Sequence, residues 1–272
     1  MTFYFGSHIK GDLIDSVDDI YKSGGNFVQI FIKNYNKDEL LKFKDYLNEN
    51  SMKCVIHSSY TINIAKNWDK YSWWMKELEI ELETAYELGA LGIVIHFGKQ
   101  LELSKEEAYN NMFSAIIYLI NKTKKYEDIK ILLETTAGQG TEMCHNIDDL
   151  VYFFNKFKLC NNKHIKKRIK ICLDTCHIFA AGYDIKTKYK IKHYLQMFEE
   201  LIGIKYIQLI HLNDSKCDLG CRTDRHANIG NGYIGSEALS IIFNYFKKYN
   251  IPVILETPDK GYKTEIKLLS DI

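Results

Sequence analysis

Short apolar, β-branched runs recur along the chain and alternate with stretches whose apolar residues return every three or four positions. The runs occupy residues 3–5, 27–32, 54–57, 93–97, 129–134, 169–174, 206–212 and 253–256. Clear helical spacing fills 40–47, 73–88, 106–120 and 237–249. Strand-like runs separated by amphipathic helical patterns predict βα units and a parallel sheet. Eight such units close into a (β/α)8 TIM barrel of the α/β class. The apolar residues Val55, Val94, Leu132, Leu173, Leu209 and Ile254 supply its predicted core. Segment 68–88 reads as mostly helix, and 214–235, rich in Gly, Asp, Asn and Arg, as a long functional loop after the seventh strand. The two prolines, Pro252 and Pro258, bracket the last strand, and no linker or low-complexity tract interrupts the pattern. One barrel domain spanning 1–272 is therefore expected.

The polar residues that interrupt this pattern are placed regularly. His57, His96, Glu134, Asp174, His211 and Glu256 stand at the ends of six of the eight runs. Strand C-termini of such a barrel share one mouth, where active sites form, so six potential ligands are predicted to converge. His177, Asp224 and His226 follow in loops on the same face. One histidine at a strand end is more often a satisfied polar group than a ligand; repetition at one topological position carries the inference. A single catalytic zinc takes about three protein ligands. Nine ligands suit a cluster of about three ions, and such clusters serve phosphate-ester hydrolysis. His8, ending the first strand, stands equally well as a supporting residue or an unrelated one. His145, His164 and His193 read as surface or packing residues.

The remaining composition narrows the partners. With 272 residues, 46% hydrophobic and 26% charged, the chain has an ordinary globular make-up. A net charge of +1 gives no global basic field. Three divalent ions against four ligand carboxylates would nevertheless leave the mouth locally positive. Seven cysteines, an odd number in a long chain, point to an intracellular, reducing compartment rather than a disulfide framework. Cys217 and Cys221 could pair under oxidation, but free thiols are the expectation. The N-terminus lacks a signal-peptide pattern, and no apolar stretch reaches the roughly 18 residues of a membrane span. Only three arginines occur, and two of them, Arg222 and Arg225, lie in the long loop beside Asp224 and His226. A guanidinium fork suits phosphate oxygens, so a phosphate clamp is expected there, with an ion pair to Asp224 or Asp218 as the alternative. The basic run 163–170 reads as a solvated face at the opposite end of the barrel, and Trp73 with Trp74 as packing.

Seven segments carry a family resemblance: HSSYTIN (57–63), HFG (96–98), LETTAGQGTE (133–142), CLDTCHIFAAGYD (172–184), IHLNDSK (210–216), DRHANIGNGYIG (224–235) and ETPD (256–259). Together they resemble the endonuclease IV family, the apurinic/apyrimidinic endonucleases of DNA base-excision repair. The resemblance runs from about residue 5 to 258. It implies three zinc ions, with manganese able to substitute at one or more positions. His57, His96 and Glu134 would hold the first; Glu134, Asp174, His211 and Glu256 the second; His177, Asp224 and His226 the third. Glu134 and Glu256 would be the catalytic carboxylates, orienting a hydroxide for in-line attack on phosphorus. The implied reaction cuts 5′ to an abasic site, leaves a 3′-hydroxyl and a 5′-deoxyribose phosphate, and trims blocked 3′ ends. The implied partner is double-stranded DNA with abasic sites or blocked 3′ ends, with no membrane, engaged by a monomer. Tyr60 matches a residue that wedges into the minor groove. Two positions depart from the pattern. Thr61 stands where relatives often carry leucine, and 33–36 lacks an arginine often found after the second strand; Tyr35 is the candidate stacking residue in its place.

Two other functions use the same residues. A sugar isomerase or epimerase of this barrel type would need only Glu134, Asp174, His211 and Glu256, leaving the other five ligands unexplained. A non-catalytic DNA-damage-binding module is disfavoured by the complete ligand set.

Overall fold

A computed structural model describes residues 2–258 and 261–271; Asp259, which ends the ETPD segment, lies outside them. Eight parallel strands close the barrel: β1 (Phe5–His8), β2 (Phe27–Ile30), β3 (Lys53–His57), β4 (Gly92–His96), β5 (Lys130–Glu134), β6 (Ile169–Asp174), β7 (Ile207–His211) and β10 (Val253–Leu255). They pair in sequence order, and β10 closes the ring between β7 and β1. Helices α1 (Leu13–Lys22), α2 (Lys37–Glu49), α3 (Trp73–Leu88), α4 (Lys105–Lys122), α5 (Ile147–Lys158), α6 (Lys163–Arg168), α8 (Lys188–Leu201), α9 (Ser236–Lys248) and α10 (Tyr262–Ser270) form the outer layer. A six-residue helix, α7 (Thr175–Ala180), follows β6 directly. The two-stranded ribbon β8 (Asp214–Ser215) and β9 (His226–Ala227) lies within the long loop. Among the described residues no helix is long and apolar enough to cross a membrane.

Local chemistry sets the helix starts. Asp12 accepts from the amides of Ile14 and Asp15, and Leu13, Val17 and Ile20 of α1 then recur on one buried face. Asn36 with Glu39 and Ser104 with Glu107 form reciprocal capping boxes that start α2 and α4. α3 spans the residues its spacing predicts, with Trp74 buried and Trp73 half exposed beside Lys66. β1 starts two residues later than its apolar pattern, and the Phe3 and Phe5 rings both pack on Phe243 of α9. β2 stops at Ile30, and Ile32–Asn34 turns as a short 3-10 helix.

Inside the barrel, Phe27, Val55, Val94, Leu132, Cys172, Leu209 and Ile254 make one sealed apolar layer. Successive strand side chains point to opposite faces. The residue two places beyond each of these therefore also faces inward, one layer nearer the mouth. Leu173 is a correction to the predicted core. It faces the helices, and Cys172 takes the inner position, two residues before Asp174. The basic run 163–170 needs a second correction. Arg168 is buried, donating from Nε to the Ile129 carbonyl at 3.0 Å and from Nη1 to the Thr123 carbonyl and hydroxyl at 3.1 and 2.9 Å. Burial lowers its pKa to about 10, which leaves it charged at neutral pH.

Arg168→Met should destabilise the protein by about 2–3 kcal/mol, the range for hydrogen bonds to a charged donor. Urea unfolding checks this; an unchanged midpoint would show that the Thr123 and Ile129 carbonyls find other donors.

Candidate metal centre

The inward-facing layer above the apolar plug is where the strand-end histidines and carboxylates meet. His57, Glu134, Asp174, His177 and His211 are buried, and His96, Asp224, His226 and Glu256 are partly open to the mouth. Glu134 Oε2 lies 3.2 Å from His57 Nε2 and 3.0 Å from His96 Nε2. Its Oε1 lies 2.8 Å from His211 Nδ1, which is 3.1 Å from Glu256 Oε2 and 3.8 Å from Asp174 Oδ2. Asp224 Oδ1 stands 3.2 Å from His177 Nε2 and 3.0 Å from His226 Nε2. The nine residues singled out in the sequence thus come together in one cavity.

Their donor chemistry fits cations. In four of the five rings, the nitrogen turned away from the cluster has its own acceptor. His57 Nδ1 meets the Ser58 carbonyl at 2.7 Å, His177 Nδ1 the Thr135 carbonyl at 2.7 Å, and His226 Nδ1 the Glu256 carbonyl at 3.2 Å. His211 Nε2 meets Gln29 Oε1 at 2.8 Å. A ring that donates one N–H outward offers the lone pair of its other nitrogen inward, as metal-ligating histidines do. The inward Nε2 atoms of His177 and His226 are buried and lack hydrogen-bond geometry to any partner. The ligand atoms of Glu134, Asp174, His211 and Glu256 all lie within 4.8 Å of one another, as do those of His57, Glu134 and His211, and those of Asp174, His177 and His226. The Cys176 sulfur has the same reach to Asp224 and His226. Without a cation, burial pushes that thiol up to about 12, and it donates to the Arg225 carbonyl.

Without cations the cluster leans on its own protons. Burial alone would push the Glu134 carboxyl up, but the rings of His96 and His211 outweigh it and hold it well below the usual range. Asp174 shows the reverse balance, with burial raising it despite His177 and His226. Burial disfavours charge on His226, yet Asp224, Asp174 and Glu256 raise it to about 9. His96 and His177 are also raised, against burial, by their carboxylates, and His211 by Cys172 together with Glu256 and Glu134.

Several supporting residues escape a reading based on strand ends. Gln29, fully buried in β2, bonds His211, Glu256 and His8. It follows Phe27 of the apolar plug by two residues, so its place in the alternation marked it as a mouth residue. Asn213 donates to Asp174 Oδ2 at 2.6 Å and accepts from the Glu256 amide at 2.8 Å. Asp214 accepts from the amides of Gly230, Gly232, Ile234 and Gly235, tying down the segment just past Asp224 and His226. A Cβ at Gly232 would collide with the Ser215 carbonyl and the Asp214 carboxylate, so only glycine fits there. His8, Lys10 and Phe31 join seven of the nine, all but Asp174 and His211, in lining a cavity of about 200 Å³.

The exposed candidates stand apart from this layer. Tyr60 is 75% exposed at the cavity rim, its ring 6.2 Å from Phe31. Arg222 is exposed on a left-handed backbone (φ 51°), its amide bonded to the Ala180 carbonyl. Arg225 is exposed and bonds the Asp224 carbonyl. The alternative ion pairs are not formed: Asp218 pairs with Lys186, and Asp224 faces the histidines. Tyr35 is half-buried against the core and does not line the cavity. All seven cysteines are free thiols.

Comparison with known proteins agrees with this geometry. A family model described as a xylose isomerase-like TIM barrel, of the AP endonuclease 2 type, matches residues 17–272. A probable endonuclease 4 from Geotalea daltonii is 36% identical over 100% of this chain and 99% of its own length. Apurinic-apyrimidinic endonuclease 1 of Saccharomyces cerevisiae is 32% identical over 98% of this chain and 75% of its own. The crystal structure of endonuclease IV from Thermus thermophilus aligns with a TM-score of 0.79 at 25% identity, over 98% of each chain.

Metal-stripped protein should lose stability as pH rises from about 6.5 to about 9. The raised His226 contributes fully below its unfolded pKa of 6.5 and nothing above its folded value. Metal-replete protein should not show this loss, because ligation holds the rings neutral, and it should melt at higher temperature. Thermal melts across that range, with and without chelator, test both; identical curves would remove cations from the site.

Proposed function

The chain belongs to the endonuclease IV family of apurinic/apyrimidinic endonucleases of DNA repair, and from that membership we propose how its own residues act. The observation that carries the proposal is the meeting of five imidazoles and four carboxylates in one mouth. His57, His96 and Glu134 would hold one zinc ion. Glu134, Asp174, His211 and Glu256 would hold a second, and His177, Asp224 and His226 a third. Manganese is an alternative occupant at one or more of these positions. When bound, the ions supply positive charge against a phosphodiester and acidify water to a pKa of about 7.

The protein's own groups do the rest. Glu134 and Glu256 orient the attacking water and accept its proton, held in place by His96, His211 and Gln29. Attack in line on phosphorus 5′ to an abasic residue yields a 3′-hydroxyl and a 5′-deoxyribose phosphate. The same centre would release blocking groups from 3′ ends. Substrate selection follows from size and shape. The cavity of about 200 Å³ is smaller than the ~300–1,000 Å³ that drug-sized ligands occupy, so it suits a sugar phosphate without its base. Extruding a nucleotide that has no base to unstack also costs less. Tyr60 on the rim would enter the duplex as a wedge. Arg222 and Arg225 would grip backbone phosphates, and Tyr35 would line the approach from the loop after β2. Every proposed ligand comes from one chain, which suits a monomer. Seven free thiols suit a reducing compartment. An isomerase needs only the second ligand set and leaves the other five residues in the cavity without a role.

Metal-replete protein should carry about three zinc ions per chain and nick duplex DNA bearing one abasic site. Binding without nicking would instead support a recognition module, and a single divalent ion per chain an isomerase. Glu256→Gln should cut scission by about 10²–10⁴-fold, the usual contribution of a positioned acid or base. Near-normal turnover in gel assays would remove Glu256 from proton transfer. Tyr60→Ala should raise KM for the abasic duplex more than it lowers kcat, since its contact is with duplex shape; an unchanged KM would refute the wedge.

A further inference from the structure

We propose that Gln29 is a positioning residue of this centre, its one amide fixing the tautomers of two histidines and the orientation of Glu256. The inference rests on the metal reading above and adds a residue to it. Gln29 is fully buried in β2, beside its register partner His8 of the neighbouring strand β1, and reaches Glu256 just past β10 and His211 at the end of β7. Its Nε2 lies 2.6 Å from Glu256 Oε1 and 3.0 Å from His8 Nδ1, and its Oε1 lies 2.8 Å from His211 Nε2.

Donor and acceptor rules make the arrangement single-valued. An ionised carboxylate only accepts, so the amide NH2 must face Glu256 and the amide oxygen must face His211. That oxygen only accepts, so His211 Nε2 must carry the hydrogen. In the neutral ring that would hold a cation, His211 Nδ1 is then left with its lone pair toward Glu134, Glu256 and Asp174. The second amide hydrogen points at His8 Nδ1, which must accept. His8 is therefore a neutral ring with its hydrogen on Nε2, a buried atom without a protein partner in a residue lining the cavity. Both amide hydrogens and the amide oxygen are used, and no second orientation satisfies all three neighbours. Phe31 packs edge-on against His8 at 4.6 Å and against His57 at 5.2 Å, so neither ring turns freely.

The test compares wild type, Gln29→Leu and Gln29→Glu, each loaded with zinc. Nitrogen-15 ring spectra of wild type should show His211 protonated at Nε2 and unprotonated at Nδ1. Gln29→Leu, which neither donates nor accepts, should lose that fixed pattern and release zinc to a chelator about 10–100-fold more readily, the usual effect of an outer-layer partner. Gln29→Glu is isosteric and guards against misfolding. Its oxygen still accepts from His211, so the His211 pattern should survive while the bond to Glu256 is lost. A Gln29→Leu protein matching wild type in both ring spectra and zinc release overturns the proposal, as does a wild-type His211 protonated at Nδ1. Wild-type protein that takes up no zinc and leaves an abasic duplex intact overturns the metal reading itself.

Discussion

Like charges held a few ångströms apart above an apolar plug are the constraint on which this structure turns. Glu134, Asp174 and His211 are essentially inaccessible to water, and Glu256 and Asp224 close the same space from above. Buried carboxylates of this density persist only if positive charge reaches them. Protonated imidazoles provide it in part, as the opposite shifts of Glu134 and His211 show. They do so imperfectly, for Asp174 remains raised. The outward N–H of four rings is already committed to an acceptor, so the inward nitrogens are arranged as lone-pair donors. Divalent cations would resolve both problems at once.

The barrel tolerates such a centre because its rigid parts come first. The apolar layer from Phe27 to Ile254 seals the interior and fixes the register of the strands below the mouth. Six ligands stand at or immediately beyond strand ends, where the backbone is held by parallel pairing on both sides. His177 comes from α7, whose first amides are capped by Asp174, so one carboxylate both starts the helix and faces the cluster. Asp224 and His226 ride on the long loop, the least regular segment at the mouth. That loop is fastened by carboxylates of its own. Asp214 gathers four amides, and Glu265 accepts from the Ile229 amide, the Thr257 hydroxyl and the Asn228 amide group.

What the chain reveals in advance follows from how strongly each feature repeats. Eight apolar runs between helical patterns announce a closed barrel, and α3 forms over the residues its spacing marks. Ligand candidates were legible because they recur at one topological position. The misplacement of Leu173 for Cys172 is a one-residue error in a period-two element, where a shift of one reverses the face. A register irregularity between Ile171 and Cys172 lies at that point of β6. Arg168 was hidden by its basic neighbours, since charge runs carry no sign that one member turns inward to cap Thr123 and Ile129. Gln29 was hidden for the opposite reason: one polar residue in a fully buried run reads as an exception until the alternation is followed from Phe27.

The same contrast separates the buried ligand candidates from the rim. Changing any one buried ligand strands the charge of its neighbours, so the nine residues are coupled and hard to alter singly. Thr61, Lys33 and Asn34 are exposed, so a substitution there leaves no buried group unpaired. Tyr60 sits between these regimes. Its ring is open to solvent, but its loop is anchored below by Glu81 of α3, a buried carboxyl bonded to the Ser59 amide and pushed up to about 8 by burial and by Glu77. The loop's position is thus set by the interior, whereas what it presents at the rim is set at the surface.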